Sequence, residues 1–101
     1  MGTLSLTEIL DDLRAAEDGL HRFERRYWIS TEQFIELYGQ GLLDDGDHLE
    51  DFAEWAGHYR LHQKRQAALK QISTQRLAEL RRKAGNRPVR LVPAEPILDL
   101  S

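Results

Sequence analysis

Residues 5–27 read SLTEILDDLRAAEDGLHRFERRY, and the spacing of apolar side chains in this stretch decides the fold. Leu6, Ile9, Leu13, Ala16, Leu20, Phe23 and Tyr27 recur at alternating intervals of three and four. That period places them on one stripe of an α-helix and argues for packing against a second long helix. Ser5-x-x-Glu8 at the start is a capping box, in which hydroxyl and carboxylate each satisfy a backbone N–H that the first turn leaves open. Gly19 lies inside the stripe and weakens the helix by about 1 kcal/mol relative to alanine. The helix is predicted to end near Tyr27.

Reading outward, all eight aromatics (Phe23, Tyr27, Trp28, Phe34, Tyr38, Phe52, Trp55, Tyr59) lie between residues 23 and 59. Aromatic rings bury the largest area per residue, so this window is predicted to hold most of the core. Ser30 fits the N-cap of a second, short helix, with Gln33 reciprocating and Ile29 and Phe34 forming the hydrophobic staple. Phe34, Ile35, Leu37 and Tyr38 are its apolar residues, and Gly39 and Gly41 are its stops. Asp47-x-x-Glu50 is a further capping box, opening a third helix whose inner stripe is Leu49, Phe52, Ala56 and Tyr59 with Trp55 beside it. No proline falls within residues 47–87, so this helix is predicted to run to about Lys83 and stop at Gly85-Asn86. Its second half has a thinner stripe (Ala67, Ala68, Leu69, Ile72, Leu77, Leu80). The seam slips at Ser73-Thr74, which marks either a break or a surface that a partner contacts. Pro88, Pro93 and Pro96 then exclude helix from the tail, although Val89, Leu91, Val92, Ile97, Leu98 and Leu100 make it too apolar for a plain linker.

Charge is sorted along the chain. Residues 1–59 carry four basic and fourteen acidic side chains, net −10, whereas residues 60–90 carry ten basic and one acidic, net +9. Such asymmetry concerns surfaces and partners rather than fold. The 101 residues suffice for one domain with a modest core, and 41% apolar with 31% charged residues suits a strongly helical globular protein. Without cysteine, no disulfide framework, thiolate metal site or thiol nucleophile exists. No stretch reaches the ~20 apolar residues of a bilayer span. Acidic residues interrupt the N-terminal apolar run, and a cytoplasmic protein without membrane association is expected.

Four constellations bear on chemistry. His58-x-x-x-His62 has metal-ligand spacing on a helix but lacks a third ligand, so no metal or other cofactor is expected. Asp44, Asp45 and Asp47 around Gly46 fit a turn and helix cap better than a calcium loop. Arg14 and His21 share a helical face, as in some helical ribonucleases, a pairing that chance produces readily. With no nucleophile–base arrangement or phosphate loop, an enzyme has no chemistry to rest on. The fourth is the basic run from Arg60 to Arg90, for which phosphate contact, an acidic protein partner, pairing with the acidic first helix and a solvated face all stand open. Residues 60–101 contain no aromatics, which argues against stacking on bases.

Phe23-Glu24-x-x-Tyr27-x-Ile29-Ser30-x-Glu32-x-Phe34, followed by Gly41, Asp47 and Glu54-Trp55-Ala56, resembles a pattern in short helical proteins of bacteria and archaea. Those proteins are encoded beside small toxins and regarded as their antitoxins. The resemblance covers about residues 10–65. It implies a helical body and an extended end that contacts the toxin.

The expected fold is therefore all-α, an antiparallel hairpin of two long helices with a short connecting helix (1–84) and an extended tail (85–101). Leu6, Ile9, Leu13, Leu20, Phe23, Tyr27, Phe34, Leu37, Phe52, Trp55, Ala56 and Tyr59 form the expected core. The expected function is antitoxin-like binding of a protein partner through Arg76, Arg81, Arg82, Arg87, Arg90, Leu91, Val92, Ile97, Leu98 and Leu100. Two other readings remain: a DNA-binding regulator using residues 60–90, and a scaffold that dimerises through the Leu6–Tyr27 seam.

Overall fold

A computed structural model describes residues 4–43 and 46–93. These residues form three helices, α1 (Leu6–Tyr27), α2 (Thr31–Gly39) and α3 (Leu49–Ala84), and no strand. The capping box that opens α1 is complete: Ser5 Oγ accepts from the Glu8 N–H at 3.1 Å, and Glu8 Oε1 accepts from the Ser5 N–H at 3.0 Å. At α2 only half of the predicted box forms. Ser30 Oγ accepts from the Gln33 N–H at 3.1 Å, but the Gln33 side chain meets the Ser30 hydroxyl instead of its backbone. The end of α2 is a Schellman motif, with Gly41 at φ +70° and the N–H groups of Gly41 and Leu42 donating to the carbonyls of Tyr38 and Leu37.

The predicted Asp47 cap does not form. The N-cap of α3 is His48, one residue later, and its side chain makes no capping hydrogen bond. The start of α3 is favoured instead by Glu50 and Asp51 in the first turn, and its end by Arg81, Arg82 and Lys83 in the last, as the helix dipole requires. The helix is continuous through Ser73-Thr74, so the slip in the seam is not a break.

Trp55 of α3 pins the three helices together and is 1% exposed. Its ring lies flat on Phe34 of α2, with centroids 3.9 Å apart, and stacks with Phe23 and Tyr27 of α1 at 5.6 and 5.8 Å. Buried indole N–H groups need an acceptor. Here Nε1 donates to Thr31 Oγ1 at 2.9 Å, a buried hydroxyl at the first position of α2. The Thr31 N–H donates in turn to Glu24 Oε2 of α1 at 2.9 Å, so a carboxylate from one helix caps the next. Phe52, Ala56 and Leu20 complete this cluster, and Ile9, Leu13 and Ala16 continue the buried stripe along α1. Leu6, Tyr27, Leu37 and Tyr59 are half-buried at its margins. The Leu6–Tyr27 seam is thus covered by the chain's own α3.

Trp28 departs from the aromatic-core expectation. It occupies the C-cap of α1 at φ +59° and is 91% exposed. In the left-handed conformation the chain turns sharply toward α2, and the indole points away from the body.

Contacts between α1 and α3 fix their register. From one end to the other, the Tyr27 hydroxyl donates to Asp51 at 2.6 Å, Arg22 pairs with Glu54, Glu17 meets His62 at 3.0 Å and Arg65 donates to Asp12 at 2.7 Å. Each step back along α1 meets a step forward along α3. Midway, the His58 imidazole lies directly on Gly19, where an added Cβ would come within 2.6 Å of the ring. The glycine that costs helix propensity is the place where a histidine fits between the helices. Leu6 is six residues before Asp12 and therefore falls level with Gln71, six after Arg65. Residues 72–84 of α3 continue about 20 Å past that point at the α-helical rise.

Candidate interaction surface

Part of the charge on the paired half of α3 is engaged by α1, whereas Glu50, Arg60, Lys64 and Lys70 are exposed and make no ion pair among the described residues. Arg26 lies 3.3 Å from Asp51, and Arg65, His62 and the Arg22–Glu54 pair are engaged across the α1–α3 contact. The polarity reverses along it: α1 supplies the cations near Tyr27, whereas α3 supplies them near Asp12. The sequence left open whether the basic run folds onto the acidic first helix, and the structure answers with Arg65 alone among the basic residues beyond Arg60.

Past Gln71 the pattern changes. Arg81, Lys83, Arg87 and Arg90 make no ion pair among the described residues, and Arg82 meets only its neighbour Glu79, at 3.1 Å on the exposed surface. Exposed pairs of this kind contribute well under about 1 kcal/mol. Arg76 donates to the Val92 carbonyl at 2.6 Å, which turns the tail back along α3. Gly85 at φ +61° and the Arg87 N–H to the Ala84 carbonyl start that reversal. Ile72, Leu80 and Ala84 are half-buried, whereas Leu77, Val89, Leu91 and Val92 are exposed, Leu91 at 77%. Ile97, Leu98 and Leu100 lie outside the described residues.

The result is a cationic arm, residues 72–93, with four exposed aliphatic side chains between its guanidinium groups. Planar guanidiniums pair bidentately with carboxylates and phosphates alike, so the arm is suited to an anionic surface that also offers apolar contact.

The other constellations are not assembled into sites. His58 Nε2 sits 3.4 Å from Glu54 Oε2 in poor hydrogen-bond geometry, while His62 is bound to Glu17, so the two imidazoles serve separate carboxylates. Among the described residues no group of three His, Asp or Glu side chains is placed to hold a metal ion. His21 binds Glu24 at 2.8 Å, part of the network that caps α2, and Arg14 is exposed without a carboxylate partner among the described residues. An open notch of about 310 Å³ between α1 and α3 is lined by Arg22, Phe23, Arg26, Asp51 and Glu54, whose charges cancel in pairs. Among the described residues no helix is long and apolar enough to cross a membrane.

Sequence reasoning missed Trp28 as a surface residue. The available signal was the end of the first helix, which has no glycine to adopt the left-handed turn. Comparison with known proteins adds no relative, since no family model, no curated protein and no solved structure matches this chain.

Proposed function

We propose that this chain is a non-enzymatic binding protein in which α1 and α3 act as an antiparallel hairpin stem that holds out residues 72–93 to grip an acidic protein surface. The observation that carries this reading is the arm itself: past Gln71, Arg81, Lys83, Arg87 and Arg90 have no ion-pair partner among the described residues and stand beside exposed Leu77, Leu91 and Val92. Held on a rigid helix, Arg81 and Arg82 lose little further backbone freedom on binding, Arg87 and Arg90 follow in the tail, and Leu77, Leu91 and Val92 supply apolar contact. The resemblance to antitoxins fits this design, with a small toxin as the partner whose active surface the arm and tail cover.

Co-expression with any small protein that proves to be encoded beside it tests the proposal. The full chain is expected to co-purify with that protein at low salt, and a chain ending at Ala84, or one carrying Arg81→Glu and Arg82→Glu, is expected to lose it. Duplex DNA titrated at two salt concentrations is the counter-test. Steep salt-dependent DNA binding with no protein capture would replace this reading with that of a DNA-binding regulator.

A further inference from the structure

The arm carries unpaired charge of one sign, and unpaired charge of the other sign lies at the opposite end of the same molecule among the described residues. There Glu32 and Glu36, one turn apart on α2, are exposed with no basic partner among the described residues, as is Glu50 at the start of α3. Trp28, four residues before Glu32 in the chain, is 91% exposed, and Leu42 and Leu49, which flank the α2–α3 connection, are 62% and 56% exposed. An exposed indole held in the left-handed region, among unpaired carboxylates and exposed leucines, has the composition of an interface anchor. Its charge is opposite to the arm's, and each surface joins apolar side chains to one sign of charge.

We propose that the cationic arm of one copy docks on the acidic aromatic end of a second copy, forming a symmetric antiparallel dimer. Lengths permit it. The arm helix extends about 20 Å and α1 about 33 Å, so two molecules laid side by side in opposite directions bring each arm alongside the other's α2. A two-fold axis then makes both contacts at once, doubling the buried area. Parallel stacking would instead place arm against arm and acid against acid, so charge selects the antiparallel arrangement. Leu77 and Arg81 on the arm and Lys70 just before it share one exposed face by their spacing of seven and four. That face, cation–leucine–cation, meets Trp28 between Glu32 and Glu36. The inference rests on the arm being the binding element. It adds that in the resting protein a second copy covers the arm, and that any other acidic partner must displace that copy.

Sedimentation equilibrium of the full chain at about 30 mM and about 500 mM salt provides the test, since the longer screening length preserves these contacts only at the lower concentration. A dimer is expected at low salt and a monomer at high salt. Arg81→Glu with Arg82→Glu is expected to weaken the dimer at low salt by at least about tenfold, and so is Glu36→Lys. Mixing the two charge-reversed chains is expected to restore it as a heterodimer. Trp28 gives an independent readout: with Trp55 already buried, a blue shift of emission on dimerisation reports Trp28 alone. A chain that stays monomeric at low salt across the accessible concentrations overturns the proposal, as does a dimer indifferent to both reversals. Neither result bears on capture of a different acidic protein, so this inference can fail while the binding-protein reading stands.

Discussion

The first half of α3, residues 49–71, and its second half, residues 72–84, are one unbroken helix under two regimes. In the first, every turn meets another helix, and the aromatic rings of Trp55 and Phe52 supply the burial that holds α1 and α2 in place. In the second no helix faces it, and what keeps it helical is local: Gln, Ala, Leu, Glu, Lys and Arg dominate residues 75–84, and basic residues complement the dipole in the last turn. Tertiary packing ends where α1 begins, level with Gln71, whereas helix continues as far as propensity carries it. A surface for partners arises in the gap between those two limits.

The sharpest way to break this contrast is to truncate one apolar side chain in each regime. Trp55→Ala removes three ring contacts and leaves the Thr31 hydroxyl without its donor, so urea unfolding is expected to show a loss of about 3–5 kcal/mol. Leu77→Ala is expected to change stability by no more than about 0.5 kcal/mol. If the leucine costs as much as the tryptophan, the arm is packed core and the distinction between the regimes fails.

The next effect lies at Gly19, where local and tertiary rules conflict. Propensity alone says Gly19→Ala adds about 1 kcal/mol of stability. The structure says the new methyl displaces the His58 ring, so the same substitution is expected to lower stability by roughly 1 kcal/mol. In a His58→Ala background the obstruction is gone, and Gly19→Ala is expected to stabilise. A double-mutant cycle by thermal or urea unfolding reads the change of sign. Equal effects in both backgrounds would mean that the histidine does not seat on this glycine.

These residues also show what the sequence could and could not convey. The seam from Leu6 to Tyr27 and the caps at Ser5 and Ser30 were legible because periodicity and capping are local, written within a few residues of each other. Gly19 was visible only as a cost, because its purpose is supplied by His58, thirty-nine positions away. Thr31 was invisible for the same reason: its burial follows from the indole N–H of Trp55 needing an acceptor, which no local pattern encodes. Trp28 misled because composition assigns tryptophan to the core, whereas a C-cap turn without glycine turned this one outward. Asp47 misled because the cap spacing was satisfied on paper while the helix began one residue later. Of the candidate surface, the clustering of positive charge was plain from the sequence. That Arg65 pairs with α1 and the later cations do not depended on where α1 starts relative to α3, which is a matter of register.

A smaller effect concerns the link between α1 and α2. Burial raises the Glu24 carboxyl, but hydrogen bonds from His21 and from the Thr31 N–H and hydroxyl, together with the His21 charge, outweigh it and hold the group below its ordinary value of 4.5. A carboxylate lowered in the folded state stabilises the fold above its unfolded value, and that contribution disappears as pH falls through the folded one. Thermal unfolding between pH 6 and about pH 3 is therefore expected to show an acid-side loss that Glu24→Gln flattens. At the alkaline end, Tyr27 is raised by burial and by its hydrogen bond to Asp51, so its contribution is full below 10.0 and declines above it. Tyr27→Phe should remove that decline.

The smallest expected effect tests register itself. Asp12 and Arg65 form the outermost ion pair between the paired halves, partly exposed on both sides, and pairs of that kind contribute about 0.2–1 kcal/mol. Either reversal alone, Asp12→Arg or Arg65→Asp, sets like charges together and is expected to cost a few tenths of a kcal/mol beyond loss of the pair. Reversing both restores opposite charges at the same separation and is expected to recover most of the loss. Recovery requires residue 12 to face residue 65, and with it the extent of α3 that α1 leaves uncovered. If α1 were shifted along α3 by one turn, Asp12 would face Leu61 or Leu69, the double reversal would recover nothing, and the boundary between stem and arm would move with it.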